Sequence, residues 1–141
     1  MKTTTLAPIA RFLVLASMAL GGCGGSPAPG ATTPAASVAP LDGTAYDVTL
    51  AFPGETPVKD TQRFQGGRFE STACTAVGFP EWSDYRAQVD SGAIAFAALA
   101  RSPDGTTMDW KGTVSGDAVE GTAIRTLSGR ATTGTVRGAR R

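Results

Sequence analysis

The pattern of residues 108–123 predicts two paired strands, and this stretch constrains the fold more than any other part of the sequence. The two-residue turn Gly116-Asp117 favours a hairpin because glycine adopts the backbone conformations that such turns need. Around it the facing pairs sort by polarity. Trp110–Ala123, Gly112–Gly121 and Val114–Val119 are apolar or small, whereas Lys111–Thr122 and Thr113–Glu120 are polar. Because side chains alternate between the two faces of a strand, a slip of one residue would destroy this sorting. We therefore predict one apolar, core-facing side.

Alternating strands and short turns continue along the rest of the chain. The pattern predicts strands over residues 45–52, 58–65, 68–71, 83–90, 93–100, 108–115, 118–127 and 131–139. Gly66-Gly67 is another two-residue turn, and it places Phe64 opposite Phe69 on the inner face. The same register places Arg63 opposite Glu70 as an outward ion pair.

Closure of these strands is the simplest way to bury their apolar faces. An open sheet would leave one apolar face wet and two edges unpaired. We predict an all-β domain, an eight-stranded antiparallel up-and-down β-barrel, with a β-sandwich as the alternative. Residues 72–82 do not alternate, so we expect one helical turn and a loop that covers one end of the sheet.

The first 22 residues have the features of an export signal. Two basic residues precede an apolar run of nine, residues 12–20, which is too short for a bilayer that needs about 20 apolar residues. The segment ends Leu20-Gly21-Gly22-Cys23, which resembles the bacterial lipobox. The resemblance implies that residues 1–22 are a lipoprotein signal peptide and that Cys23 carries acyl chains such as palmitate as a membrane anchor. Gly24, in place of an aspartate, favours the outer membrane.

The next residues, 23–40, form an uncharged segment after the anchor. Pro, Ala, Gly, Ser and Thr dominate it, so it buries too little apolar surface to fold, and we predict a flexible tether. Residues 41–141 suit a single domain with one modest core. Loss of two of the 13 basic residues with the signal leaves 11 against 12 acidic residues. This balance argues against nucleic acid as a partner. We expect the arginines near residue 141 to form a solvated tail.

Two spaced motifs carry a resemblance to a known group of proteins. The first is Phe69-x-Ser71-x-x-Cys74-x-x-x-Gly78-Phe79, and the second is Met108-x-Trp110-x-Gly112-x-Val114-x-Gly116-Asp117-x-Val119-x-Gly121-Thr122. Both resemble small bacterial lipoproteins with lipocalin-like or calycin-like barrels. The resemblance spans most of residues 41–139. It implies a barrel fold and a place in the bacterial cell envelope, and it implies no particular activity.

The residues that most often carry catalysis are missing from this sequence. It contains no histidine, which excludes Ser-His and Cys-His catalysis and any His-ligated metal site. Lipidation of Cys23 leaves Cys74 alone, either as a redox or intermolecular disulfide site or as a small buried apolar residue. The acidic residues form no calcium-loop pattern. We therefore predict a non-enzymatic protein without metal or cofactor.

Polar groups on the predicted inner face are the candidate binding residues. Alternate residues of a strand share a face, so Asp60 and Gln62 lie on the inner face with Phe64. The register of the 108–123 hairpin places Arg125 on the inner face as well. Buried charge is costly, so we expect these groups to pair, to lie at the barrel mouth, or to meet a ligand. The candidate ligand site comprises Asp60, Gln62, Arg125, Tyr46, Tyr85, Trp82 and Trp110.

Two functional interpretations follow from these patterns. The first is a non-catalytic binding module, anchored to the membrane by its lipid, that holds a small, partly apolar ligand. The alternative is an envelope interaction or inhibitor protein that binds a protein partner through its loops. An internal cavity above about 300 Å³ would favour the first. A filled interior with exposed aromatic residues over 79–82 would favour the second.

Overall fold

Residues 39–141 are the part of the chain that the computed structural model describes, and they form a closed barrel of eight antiparallel strands in sequence order. The strands are β1 Thr44–Ala51, β2 Val58–Gln65, β3 Arg68–Ser71, β4 Ser83–Asp90, β5 Ala93–Arg101, β6 Thr107–Ser115, β7 Ala118–Leu127 and β8 Arg130–Arg140; the helix α1 is Thr72–Thr75. The predicted fold class is confirmed, and the sandwich alternative is wrong. Our predictions for residues 1–22, and for the tether up to residue 38, lie outside the described residues.

The predicted hairpin registers are confirmed. Trp110 pairs with Ala123 and Val114 pairs with Val119 across β6 and β7, as the polarity sorting required. Gly112 and Gly121 face each other where these strands approach closely. A Cβ at Gly112 would lie 2.5 Å from the Phe96 ring, so that ring occupies the space beneath the glycine pair. The glycines are therefore needed for this close approach.

The core lies inside the barrel and is built from alternate residues of every strand. Its largest fully buried side chains are Trp110, Tyr46, Phe64, Phe69, Leu41, Gln62 and Val119. Leu41 belongs to the turn before β1, and Ala39 also packs against the core. The folded part thus includes Ala39 and Pro40, two residues that we had assigned to the tether.

The seam between β3 and β4 is the shortest in the barrel. β3 has four residues, and it pairs with β4 only through Arg68↔Asp84 and Phe69↔Ser83. The chain then leaves the sheet through α1 and a turn that ends near Gly78. This segment, residues 72–82, is called the cover segment below. It contains the predicted helical turn, and it packs Cys74 and Phe79 into the core.

One expectation about charged residues is confirmed and one is wrong. Glu70 pairs with Arg63 as predicted, and the pair is half-buried because only 4 % of the Glu70 side chain is exposed. The chain after residue 130 is strand β8 rather than a tail, although its arginine side chains are exposed to solvent. The Arg140 N–H donates to the Asp117 carbonyl and the Arg141 N–H donates to the Ala45 carbonyl. These two bonds hold the last residues of the chain against the neighbouring strands. Within residues 39–141, no helix has the length and apolar character to cross a membrane.

Candidate functional site

Aromatic rings fill the middle of the barrel. The Phe64 ring lies 5.0 Å from both Tyr85 and Phe96, 5.3 Å from Phe69 and 6.1 Å from Tyr46, measured between ring centroids. All four contacts are edge-to-face or tilted, and aromatic pairs prefer such arrangements to a face-to-face stack. The middle of the barrel is therefore filled by side chains, which is the feature that we expected of an interaction protein.

The Gln62 side chain is the most unusual group in this interior. It is 0 % exposed, and neither Nε2 nor Oε1 has a hydrogen-bond partner among the described residues. The indole Nε1 of Trp110 is likewise buried without a partner in residues 39–141. Buried amide and indole groups almost always have partners, because an unpaired amide costs about 1–3 kcal/mol in proteins. The barrel thus holds polar groups that its own side chains do not satisfy.

Asp60, in contrast, is used by the protein itself. Its carboxylate accepts hydrogen bonds from Ser71 Oγ at 2.8 Å, Thr72 Oγ1 at 3.0 Å and the Ala73 N–H at 2.9 Å. Ser71 caps α1 by accepting the Cys74 N–H at 3.2 Å. Asp60 therefore fixes the first turn of the cover segment to β2, and three hydrogen bonds within the protein engage its carboxylate.

Cys74 belongs to the cover segment and packs into the core as a buried free thiol. Burial raises the pKa of this thiol to about 11, against a smaller opposing effect of the Ser71 hydroxyl. The nucleophilic form of cysteine is the thiolate, so this thiol is unreactive at neutral pH. The geometry matches the apolar interpretation of Cys74 rather than the redox one.

The Tyr85 side chain is buried and is joined to the turn before β1. Its hydroxyl donates to Asp42 Oδ1 at 2.9 Å, and the Gly67 N–H donates to the same carboxylate at 3.0 Å. Burial, and then the Asp42 carboxylate, raise the pKa of Tyr85 to about 12. Asp42 thereby joins the turn before β1 to β4 and to the β2–β3 turn, with Leu41 buried beneath.

The other two predicted site residues do not reach the interior. The Arg125 side chain is 32 % exposed and forms a salt bridge with Glu55, which lies in the loop between β1 and β2. The Cζ atom of Arg125 lies 4.5 Å from the centroid of the Phe52 ring. The hydrogen bond of Arg125 with Glu55 lowers the pKa of that carboxyl group. Trp82 is half-buried on the outer side, where the Arg63 guanidinium lies 5.5 Å from its ring. Of the seven candidates, the structure brings Tyr46, Gln62, Tyr85 and Trp110 together inside the barrel.

The outer face of β5 forms the floor of a shallow groove of about 620 Å³. Its lining includes Trp82, Asp84, Arg86, Ala97, Leu99 and Asp109. A second groove of about 570 Å³ continues past Arg86 and Ala97 towards Glu120. Among residues 39–141, no cluster of acidic or cysteine side chains is suited to hold a metal ion.

Comparison with known proteins adds no assignment to this geometry. No family model, curated protein or solved structure matches the chain. The closed eight-stranded barrel is compatible with a lipocalin-like fold.

Proposed function

We propose that this chain is a lipid-anchored protein of the bacterial cell envelope whose barrel binds a small, partly apolar molecule without catalysis. The observation that carries the proposal is the Gln62 amide, fully buried with both polar atoms unpaired among the described residues. A bound molecule that pairs with this amide would remove the cost of burying it. Trp110 Nε1 offers a second donor in the same interior.

The chemistry of the interior defines the class of ligand. Gln62 offers a carbonyl acceptor and an amide donor, so the ligand needs a group that both donates and accepts, such as an amide or a hydroxyl. The surrounding rings favour an apolar body that packs against their faces and edges. Because the rings already contact one another, the ligand is small.

Entry to the interior is proposed at the seam between β3 and β4. Only two residue pairs join these strands, and residues 72–82 connect them. Segments with few ladder hydrogen bonds open at lower free energy than the central strands. Movement of the cover segment would expose the interior while the other seams stay paired.

The anchor and location rest on the sequence at Cys23. An outer-membrane lipoprotein of the lipocalin-like type fits three features of the chain: a lipobox-like sequence, an uncharged segment after it, and a folded barrel domain that includes Ala39. The partners proposed are the membrane, through the lipid, and the small ligand. The near balance of charge gives no support for nucleic acid.

Native mass spectrometry of the mature chain, purified without denaturation, tests the ligand proposal. We expect the wild-type chain to carry added mass that is released on unfolding. Gln62→Met should lose it, whereas Gln65→Met, which changes an exposed glutamine on the same strand, should retain it. A wild-type mass equal to that of the lipidated chain alone would overturn the proposal.

A second candidate function is an interaction protein that uses its outer surface. The filled interior and the groove floored by Ala97 and Leu99 favour it. The exposed aromatic residues that we expected over 79–82 are not observed, because Phe79 is buried and Trp82 is half-buried. In that case Gln62→Met should stabilise the protein, because it removes an unpaired amide. Substitution of Leu99, which is 43 % exposed in that groove, should abolish partner capture.

A further inference from the structure

Strand β4 extends beyond the strand that precedes it. β3 pairs with β4 only at Asp84 and Ser83, and the last backbone bond on that side joins the Tyr85 N–H to the Gly67 carbonyl at 3.2 Å. β4 nevertheless continues to Asp90, paired with β5 all the way. Among residues 39–141, residues 86–90 therefore form a strand edge with a neighbour on one side only, which we call the β4 edge.

The register identifies the backbone groups that face outward from this edge. In an antiparallel sheet, successive residues direct their N–H and C=O groups to opposite neighbours. Because the Tyr85 N–H points towards β3, the groups of Ala87 and Val89 point the same way. Within residues 39–141 these groups receive no backbone hydrogen bond. Val89 is also 61 % exposed, so apolar surface accompanies the unpaired backbone.

We propose that the β4 edge pairs with the β4 edge of a second copy of this chain. A two-fold axis at Gln88 aligns the strands antiparallel, with Ala87 opposite Val89 of the partner subunit. Each such pair exchanges two backbone hydrogen bonds, so all four outward N–H and C=O pairs of the two edges are satisfied. The same register places Arg86 opposite Asp90 of the partner subunit twice, because the axis repeats every contact.

Charge makes the edge complementary to itself. Arg86 and Asp90 lie on the outer face of β4, and neither has a salt-bridge partner among the described residues. Opposite charges directly across an antiparallel pair are favourable, and like charges are not. The two-fold arrangement therefore brings together two opposite pairs and no like pair.

Other registers of the same edge are excluded by the structure. An axis at Ala87 would place Asp84 opposite Asp90 of the partner subunit and would need the Tyr85 N–H, which already donates to Gly67. An axis at Val89 would pair Ala87 with Ser91, whose φ of 50° belongs to the turn. Only the axis at Gln88 uses the free backbone groups and matches the charges.

Cysteine cross-linking of the full chain in bacterial membranes tests this arrangement. The two Gln88 positions form a pair without mutual hydrogen bonds, whose Cα atoms lie about 4.5 Å apart, within the range of a disulfide. We expect Gln88→Cys to give a covalent dimer under oxidising conditions. Thr113→Cys, an exposed control on β6, should stay monomeric. Equal cross-linking of both, or a Gln88→Cys adduct with another protein, would overturn the proposal.

Charge reversal provides an independent test of the register. Arg86→Asp and Asp90→Arg should each weaken dimerisation about tenfold, since each places like charges opposite one another twice. The double variant should restore it, because the opposite pairs return in exchanged positions. Sedimentation of the detergent-solubilised chain measures both, with far-ultraviolet circular dichroism to verify folding. Single reversals that leave the dimer unchanged, or a double variant without recovery, would contradict the Gln88 axis.

Discussion

Substitution of Gly121 by alanine probes a close approach of two strands, β6 and β7. A Cβ at Gly121 would lie 2.2 Å from the Lys111 carbonyl oxygen and 2.7 Å from the Gly112 Cα. Both are backbone atoms, which cannot move aside as the end of a flexible side chain can. Overpacking a core typically costs about 1–3 kcal/mol, and we expect Gly121→Ala to lie at or above the upper end, about 3 kcal/mol.

The effect should be visible in both thermal and urea unfolding. For a domain near 100 residues, 1 kcal/mol shifts Tm by about 4–8 °C, so the variant should melt about 15 °C or more below the wild type. Thr113→Ala, at an exposed position of the same hairpin, should change the free energy of unfolding by less than about 1 kcal/mol. A Gly121→Ala variant as stable as Thr113→Ala would refute the close packing of β6 and β7.

Three other perturbations test the groups around the interior. Asp60→Asn should lower the free energy of unfolding by about 1–3 kcal/mol in urea titration, because the carboxylate accepts three hydrogen bonds from α1 and Ser71. Wild-type stability should fall as pH rises from about 10 to 12, since the folded state raises the Tyr85 pKa to about 12 and the unfolded phenol releases its proton first. Tyr85→Phe should reduce this alkaline loss. Cys74, with a pKa of about 11, should react with a thiol reagent at pH 8 at least about a hundredfold more slowly than an ordinary cysteine.

Each of these predictions has a matched control. Asp117→Asn, in an exposed turn, should leave stability within about 0.5 kcal/mol, and an equal loss at both positions would remove the capping role of Asp60. An unchanged alkaline profile in Tyr85→Phe would show that another group titrates. Cys74 should react at the ordinary rate once the chain is unfolded in urea, and equally fast reaction in the folded state would place the thiol at the surface.

The strand order and registers were predictable because two-residue turns link neighbouring segments directly. With the turn fixed, alternation decides which residues face each other, as at Trp110–Ala123. β8 was harder to predict, since its inner face carries only Val136 among glycines. Those glycines pack closely on β1, where a Cβ at Gly138 would lie 2.1 Å from the Asp47 carbonyl oxygen. The strand is held by this close fit rather than by bulky side chains.

Contacts between residues far apart in the chain were beyond the reach of local patterns. Asp42 and Tyr85 form a hydrogen bond although they are 43 residues apart in the sequence, and Glu55 and Arg125 do so at 70 residues apart. Alternation correctly placed Arg125 on the same face as Met108 and Trp110. Its guanidinium nevertheless points outward, because it forms a salt bridge with Glu55. Asp60 and Ser71 were missed as a cap, although serine three residues before Cys74 is a recognised helix-start signal.

An atomic-resolution crystal structure of the purified mature chain tests the proposed binding function most directly. It should show a non-protein molecule within hydrogen-bond distance of Gln62 Nε2 or Oε1, beneath residues 72–82, with its apolar part against the aromatic rings. An interior that contains only protein atoms or water around Gln62 would contradict ligand binding inside this barrel.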